Sequence, residues 1–489
     1  MSKNSYRHVL KYTSLFGSVQ GLSIVVGLVR NKITALFLAP MGMGLLSIFS
    51  SALNFVSTST NLGIPFGSVK RLAEVFENGN DDDRRHIVCV VRTWSLVTGL
   101  FGMILCAVLG PFLSKWLFDL DDRHSFYFFL LAPVVLMNAV TGGESAVLKG
   151  ARNLGVLARI QINTVVAALV VAVPFYYFMG IRGIVPVLVS VAFFSMIFTL
   201  FHSYRLFPPE WKYGKDFIAG GKSIIDIGIV FVITGIVATG AEVYIRSYLK
   251  VNGDLDAVGL YSAGYMMVVT YGGMIFSAMD TDYYPRLSSV CNDFAAMNIM
   301  ANRQMEVSML LVSPMLVILI ISLPVVIPLL FSSRFSAVIP MAQVAVFSMF
   351  FKAMSLPLAY ISLVKSDMIA YLIMEILFSV VMVWLVMFFY GLWGLWGAGI
   401  ALSASHLFEL AVIYLFVFFK YHYVLSRNVL RYIAVFLPMT VIAYIITFID
   451  CCLWYYWVSG TLVSIAGVMV SFFVLKKKLK SVDNIRVGS

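Results

Sequence analysis

The stretch GLVRNKITALFLAPMGMGLLSIF, residues 27–49, joins two long apolar segments of this chain. The first segment covers about residues 11–38 and the second about residues 44–73, and each is long enough to cross a hydrocarbon core roughly 30 Å thick. Two basic residues, Arg30 and Lys32, interrupt the first segment. Because a charge inside a membrane span is costly, this stretch indicates a polytopic membrane protein and also where its function should be sought.

The rest of the chain continues the same pattern, which predicts an all-α polytopic membrane protein with about 14 transmembrane helices. Segments of about 20–28 residues favour helices, because the strands of a membrane barrel need only about 9–11 residues. The composition agrees, since 61% of the residues are hydrophobic and 12% are charged. Such values lie outside the range of soluble domains.

Lys and Arg residues concentrate in alternate loops. Twenty-five of the 35 lie in loops and termini on one side, and five lie in the opposite loops, namely Lys115, Arg123, Arg182, Lys250 and Arg334. The positive-inside rule then places both termini in the cytoplasm. The net charge of +11 is explained by clusters beside helix ends. These clusters predict contact with anionic membrane lipids, and nucleic acid is not an expected partner.

The two halves of the chain repeat faintly, which predicts two six-helix lobes related by a pseudo-two-fold axis along the membrane normal. We assign residues 1–207 to an N-terminal lobe, 208–221 to a cytoplasmic linker and 222–419 to a C-terminal lobe. Residues 420–489 form two additional helices and a basic cytoplasmic tail. The matched positions are Gly44–Ser47 with Gly259–Ser262, Arg30 with Arg246, Lys149 with Lys365, and Gly180 and Gly183 with Gly391 and Gly394.

Arg30 and Arg246 are the leading candidates for a binding site. Arg30 lies about eight residues, or roughly 12 Å, from the outer end of the first helix. It could snorkel to the interface. The repeated placement of Arg246 in the seventh helix favours instead a water-filled cavity that both residues face. For Lys32 the snorkelling and cavity interpretations stay equal.

Further deep charges lie mostly in the second half. Lys352 is near the middle of its segment, and His406 and Glu409 share one helix face at i,i+3 spacing. Two readings stay open for the acidic members and the imidazole, which are ion or proton coupling and structural ion pairing. Glu242 precedes Arg246 by four residues, so the two can pair. The coupling candidates are Glu375, His406, Glu409 and Glu242, with Lys352 grouped with the cavity cations. Glu144 lies one turn above the cytoplasmic Lys149 and is expected to make only a gate or cap contact.

Patterns of soluble enzymes fail on inspection. Gly221-Lys-Ser223 resembles the end of a phosphate-binding loop, but the required first glycine is Asp216. The five cysteines show no metal-ligand spacing. We therefore expect no cofactor and no metal, and the chain is not expected to be an enzyme.

Three stretches resemble polysaccharide-export flippases of the Wzx type, which belong to the multidrug/oligosaccharidyl-lipid/polysaccharide (MOP) superfamily. They are residues 27–49, quoted above, LGIPFGSVKRLAE (62–74) and MDTDYYPRLSSV (279–290). The resemblance implies a bilobed transporter with alternating access. Arg30 is similar to the cavity arginine of the related lipid II flippases, whose GxxR stretch is followed by Asp. Here Asn31 stands in place of that acid.

The resemblance implies that the substrate is an undecaprenyl-pyrophosphate-linked oligosaccharide, moved across the bacterial inner membrane for O-antigen (lipopolysaccharide), capsule or exopolysaccharide synthesis. A polymerase and a chain-length regulator of the same pathway are the implied protein partners. The alternative is a cation-coupled multidrug exporter of the same superfamily, which would favour acidic cavity residues. A membrane-embedded polysaccharide polymerase or ligase is less favoured, because the longest outer loop, about residues 111–124, is too short to carry a catalytic site.

Overall fold

The computed structural model describes residues 3–118, 123–209 and 217–487, which are helical almost throughout and contain no strand. The chain forms two compact units, Met1–Gly259 and Leu260–Ser489. Long helices joined by short turns satisfy backbone polar groups internally, as a membrane requires. The predicted linker at 208–221 falls largely outside the described residues, because 210–216 are among those left out.

The helices are numbered here in chain order. The first unit contains α1 (Lys3–Thr60), α2 (Ile64–Asn78), α3 (Asp81–Phe118), α4 (Arg123–Gly150), α5 (Leu154–Met179), α6 (Ile184–Leu206) and α7 (Phe217–Asn252). Helix α8 (Leu255–Tyr265) crosses the boundary between the units. The second unit continues with α9 (Tyr271–Ser289), α10 (Phe294–Leu330), α11 (Ile339–Val364), α12 (Met368–Tyr421), α13 (Arg427–Ile446) and α14 (Trp454–Val487).

Within the described residues, ten helical stretches are long and apolar enough to cross a membrane. Three of these contain a break at the predicted end of a span. The stretch Val26–Thr60 breaks at Ala39, Gly155–Leu206 at the 3-10 turn Gly180–Gly183, and Met368–Tyr421 at Trp393 and Gly394. Division at the breaks yields thirteen spans, and the consecutive helices α8 and α9 correspond to the fourteenth. The predicted all-α fold with about 14 spans is confirmed.

Helix α12 is a hairpin of two helices, although its hydrogen bonding is continuous. A straight helix of its 54 residues would be about 81 Å long. Instead Asp367, at its N-cap, accepts hydrogen bonds from Lys420 and Tyr421 at its far end, with 2.5 Å between the Tyr421 Oη and the Asp367 Oδ2. The two ends meet because the backbone reverses at Trp393 and Gly394, which have non-helical dihedral angles.

Corresponding turns in the two units have the same backbone geometry. Gly180 has φ 56° and ψ −129°, and Gly394 has φ 58° and ψ −138°, a region that favours glycine. Arg152 and Ser366 both have φ 57°. The two residues of each pair are 214 positions apart in the sequence. The backbone geometry therefore matches Gly180 with Gly394. The sequence alignment had matched Gly180 with Gly391, and the structure corrects that register by three residues.

The boundary between the two compact units lies after Gly259, whereas the sequence repeat predicts that the C-terminal lobe begins at residue 222. Helix α7 packs against α1, α2 and α3 in the first unit, so the predicted lobe boundaries remain a prediction. Helices α1 and α8 also touch. A Cβ on Gly44 would lie 2.1 Å from the Leu255 carbonyl oxygen, and a Cβ on Gly259 would lie 1.9 Å from that of Pro40. This crossing therefore requires glycine on both helices.

Candidate functional site

Arg246 is a buried cation in the apolar helix α7, where only 9% of the residue is exposed. Its Nη1 lies 3.0 Å from Oε2 of Glu242, one turn earlier, and its Nε donates to Ser47 Oγ at 2.7 Å. The predicted pairing of Glu242 with Arg246 is confirmed. Because the pair has no net charge and the guanidinium is hydrogen-bonded, burial in an apolar helix is tolerated.

The break at Ala39 sets Arg30 and Ser47 at similar depths. Arg30 precedes the break by nine residues and Ser47 follows it by eight, which corresponds to roughly 14 Å and 12 Å along a helix. Ser47 is the hydrogen-bond partner of Arg246. The two arginines that the repeat singled out are therefore placed at a comparable distance from the same end of the spans.

Arg30 has a different environment from Arg246. It is half-buried and lies within electrostatic range of Tyr176 in α5. No carboxylate among the described residues pairs with its guanidinium. Lys32 is also half-buried, on a different face of α1. Of the two arginines Arg30 and Arg246, the second is therefore neutralised by a carboxylate, and no described acid offsets the charge of the first.

The deep charges of the second unit form a cluster, as their sequence positions suggested. Lys352 of α11 interacts electrostatically with Glu375, His406 and Glu409, which lie in the two halves of α12. Glu375 accepts a hydrogen bond from Tyr371, one turn before it. Glu375 and Glu409 also interact with each other. One ammonium faces two carboxylates, so the ionised cluster has an excess negative charge that a proton or a cation could neutralise.

His406 is the most enclosed member of this cluster, at 5% exposure. Its Nδ1 lies 3.2 Å from the backbone oxygen of Leu402. A carbonyl can only accept, so Nδ1 carries a proton in this contact. The ring also meets Phe378 edge-on, with 5.2 Å between the ring centroids. The imidazole is therefore held in one orientation next to the carboxylates.

Sequence reasoning missed an ion pair in the first unit. Glu144, expected to make only a gate or cap contact, binds Arg92 through two hydrogen bonds, 2.8 Å to Nε and 3.2 Å to Nη2. Ser203 donates to the same carboxylate at 2.5 Å. Arg92 and Glu144 are 52 residues apart, and no local spacing rule connects them. The only signal in the sequence was that each is a lone charge near the end of an apolar segment.

Three solved structures that are similar to this one are membrane transporters. The structure is similar to an inward-facing MATE multidrug-resistance transporter of the MOP superfamily, with a TM-score of 0.71 and 13% identity, over 84% of this chain and 98% of that one. It is also similar to the lipid II flippase MurJ in an inward closed conformation, with a TM-score of 0.67 and 13% identity, over 95% and 99% of the two chains. At these identities the likeness shows the fold, which this chain shares with both transporters.

A third similar structure is a MOP superfamily transporter from Pyrococcus furiosus, with a TM-score of 0.62 and 12% identity, over 84% of this chain and 95% of that one. Its description links a reversed polarity of the binding pocket to a different function. No curated protein sequence matches this chain. Residues 33–340, more than half of the chain, match the model of a family of polysaccharide biosynthesis proteins, and the chain belongs to that family.

Proposed function

We propose that this protein is a flippase that moves undecaprenyl-pyrophosphate-linked oligosaccharides across the bacterial inner membrane by alternating access. Its product would supply O-antigen, capsule or exopolysaccharide synthesis, with a polymerase and a chain-length regulator as downstream partners. Family membership supports the pathway. The fold shared with a lipid II flippase and with multidrug transporters supports the transport of an amphiphile.

The observation that carries the proposal is the guanidinium of Arg30. A pyrophosphate that leaves water needs replacement hydrogen bonds, and a planar guanidinium supplies them in pairs. Arg30 is half-buried in a spanning helix, and no described acid offsets its charge. Arg246 differs because Glu242 already holds it. We therefore assign Arg30 the main contact with the pyrophosphate and Arg246 a supporting one, with Lys32 and Lys352 as further cavity cations.

The charge pattern also discriminates against multidrug export. An exporter of organic cations would favour carboxylates, whereas the first unit places two arginines at comparable depth. The acidic excess lies in the second unit, around Glu375 and Glu409. We propose that this cluster couples transport to a proton or cation gradient. The first unit would then bind the anionic substrate, and the second unit would couple transport to the gradient.

Replacing Arg30 tests the proposal directly. Arg30→Ala removes charge-assisted hydrogen bonds worth about 1.5–3 kcal/mol each, so glycan export should fall about tenfold or more. Arg30→Lys should restore only part of the activity, because an ammonium keeps the charge but lacks the fork geometry. The measurement is complementation of glycan export in a strain that lacks the gene, with expression checked by immunoblot.

Arg182→Ala is the matched control, because Arg182 is an exposed arginine at the turn between α5 and α6. It should leave export unchanged. Wild-type export by Arg30→Ala at normal expression would contradict the proposal, since a snorkelling arginine tolerates both substitutions. Equal loss in Arg30→Ala and Arg182→Ala would also contradict it, because the effect would then be one of general basic charge.

A further inference from the structure

The turn between α13 and α14 brings three metal-ligating side chains together. Asp450, Cys451 and Cys452 are consecutive and exposed, and one ligand atom from each lies within 4.8 Å of the other two. The Cys452 thiol is within hydrogen-bonding distance of both the Asp450 carboxylate and the Cys451 thiol. In the part of the chain that the structure describes, no other group of three or more His, Cys, Asp and Glu side chains converges in this way. We call this group the Asp450–Cys452 triad.

The triad carries negative charge with which no described basic side chain forms an ion pair. Asp450 is the only charged residue between Arg431 and Lys476, which lie 19 and 26 residues away along the chain. When both thiols are ionised, three negative charges stand within one short turn. A bound cation would relieve their mutual repulsion, because the turn supplies no cation of its own.

The backbone that carries the triad is held at three points. The Asp450 carbonyl oxygen accepts from the Leu453 N–H at 3.0 Å, and the Cys451 carbonyl oxygen accepts from Trp457 Nε1 at 2.9 Å. Asp450 Oδ1 accepts from the Cys452 backbone N–H at 2.9 Å, which leaves the second carboxylate oxygen for a ligand. Helices α13 and α14 pack against each other on either side of the turn. Binding a metal here therefore requires little ordering of the chain.

The separations within the triad suit a tetrahedral metal ion. In zinc sites the metal lies about 2.3 Å from a thiolate sulfur and about 2.0–2.2 Å from a carboxylate oxygen. A tetrahedral arrangement then places the two sulfurs about 3.8 Å apart and each sulfur about 3.6 Å from the oxygen. The ligand atoms of the triad, all within 4.8 Å of one another, need to close by no more than about 1 Å. Rotation of the side chains can supply that movement, because all three residues are exposed.

The two thiols determine which cations the triad can select. Soft thiolate ligands favour Zn²⁺ over Mg²⁺ and Ca²⁺, which take oxygen ligands. A disulfide suits adjacent cysteines less well, because neighbouring Cα atoms are about 3.8 Å apart, closer than in most disulfides. The cysteine spacing predicted no metal site because spacing rules require other residues between two cysteine ligands.

We propose that Asp450, Cys451 and Cys452 bind one Zn²⁺ ion, with water as the fourth ligand. Three protein ligands leave one position of a tetrahedral site open, and the exposure of the triad gives water access to it. Binding releases the two thiol protons to solvent, so the occupied site contains two thiolates, one carboxylate and a divalent ion. The proposal depends neither on the function proposed above nor on the side of the membrane on which the turn lies.

The test is metal binding to the purified full-length protein, in detergent with a phosphine reductant. Cd²⁺ is the probe, because thiolate ligation of Cd²⁺ gives a charge-transfer absorption band in the ultraviolet. We expect one Cd²⁺ per chain with this band, and displacement by Zn²⁺ but not by excess Mg²⁺. Cys451→Ser and Cys452→Ser should each weaken binding at least about tenfold, because even the loss of a residue that only orients a ligand costs that much. Asp450→Asn should weaken it about tenfold while keeping the acceptor for the Cys452 N–H.

Cys291→Ser is the matched control, because Cys291 is a half-buried free thiol between α9 and α10, outside the triad. It should leave binding unchanged. Equal losses in Cys291→Ser and Cys451→Ser would overturn the proposal, since any accessible thiol would then bind the probe. Displacement by Mg²⁺ as readily as by Zn²⁺ would also overturn it, because the carboxylate alone would then be the ligand. Absence of the band in the wild-type protein would do so without any variant, so a substitution that prevents folding does not protect the proposal.

Discussion

Gly44 and Gly259 allow the backbones of α1 and α8 to touch where the helices cross. We therefore expect that a side chain added at Gly44 lowers the stability of the protein. Gly44→Ala places a methyl group 2.1 Å from the Leu255 carbonyl oxygen, a backbone atom that cannot move aside alone. Overpacking of this kind costs about 1–3 kcal/mol. The thermal midpoint of the detergent-solubilised protein should fall. Gly27→Ala, in the same helix, has nothing within 4 Å of the added atom and should be neutral or slightly stabilising. Equal midpoints for the two variants would show that the crossing is not tight.

Individual ion pairs show which contacts could be predicted from the sequence and which could not. The Glu242–Arg246 pair was predictable because i,i+4 neighbours on a helix must meet. The Arg92–Glu144 pair was not, because α3 and α4 bring together residues whose separation carries no local signal. The grouping of Lys352 with Glu375 and Glu409 was anticipated from depth alone. A charge buried in an apolar helix requires a polar or charged partner, but its depth does not identify that partner.

Helices were the most predictable elements, since an apolar run of sufficient length is enough to place a span. The turns were less so. The alignment of Gly180 with Gly391 failed because Gly391, Gly394 and Gly397 recur every three residues, so that Gly180 and Gly183 fit either register. Only the shared dihedral angles revealed Gly394 as the counterpart. The breaks at Ala39 and Gly394 were expected as ends of spans. Their geometry, a reversal within a continuously hydrogen-bonded helix, was not.

The hairpin of α12 should depend on the contact between its ends. Lys420, followed by Tyr421, donates hydrogen bonds to Asp367 and holds the pKa of this carboxyl below its usual range. A lowered folded-state pKa means that the contact stabilises the protein above the unfolded-state pKa, about 3.9, and that this stability is lost as the pH falls through the folded-state value. Asp367→Asn should therefore lower the thermal midpoint at neutral pH, and the difference from wild type should shrink at the acidic end.

Glu77→Gln is the matched control for Asp367→Asn. Glu77 pairs with Arg152 at 3.1 Å in the corresponding turn of the first unit, but both side chains are more than half exposed. Exposed pairs are worth about 0–1 kcal/mol, so this variant should change the midpoint little at any pH. The Asp367 side chain is 21% exposed and has two donors. A midpoint difference for Asp367→Asn that stays constant down to acidic pH would exclude the carboxylate as its cause.

Transport by the complete protein should depend on the acidic cluster of the second unit if that cluster couples transport to a gradient. Glu409→Gln keeps the size of the side chain but removes its ability to ionise. Gradient-driven transport in reconstituted vesicles should be lost while insertion and thermal stability are retained. Glu74→Gln, an exposed acid paired with Arg71, should transport normally. Wild-type transport that is indifferent to both proton and sodium gradients would eliminate the coupling proposal.

The orientation of the protein can be read from its own cysteines. With the N-terminus in the cytoplasm, the turn between α13 and α14 lies outside, and it contains the exposed Cys451 and Cys452. An impermeant maleimide should therefore label the wild-type protein in intact cells. Serine at both positions should abolish that labelling. In this background a cysteine replacing Asn80, exposed between α2 and α3, should react only after the cells are opened. Labelling of that cysteine in intact cells would show that the predicted topology is inverted.

The same loop provides a chemical signature that identifies which thiol has reacted. Asp450 raises the pKa of the Cys452 thiol through its negative charge, and the thiolate is the form that attacks a maleimide. A smaller fraction of Cys452 is therefore thiolate at neutral pH than for an ordinary thiol, and its labelling should rise only at higher pH. In a Cys451→Ser background, Asp450→Asn should speed the labelling of intact cells at neutral pH and shift its pH profile downward. An unchanged rate and profile would show that Asp450 does not control this thiol. The pH at which labelling begins would then not report the proximity of Asp450 to Cys452.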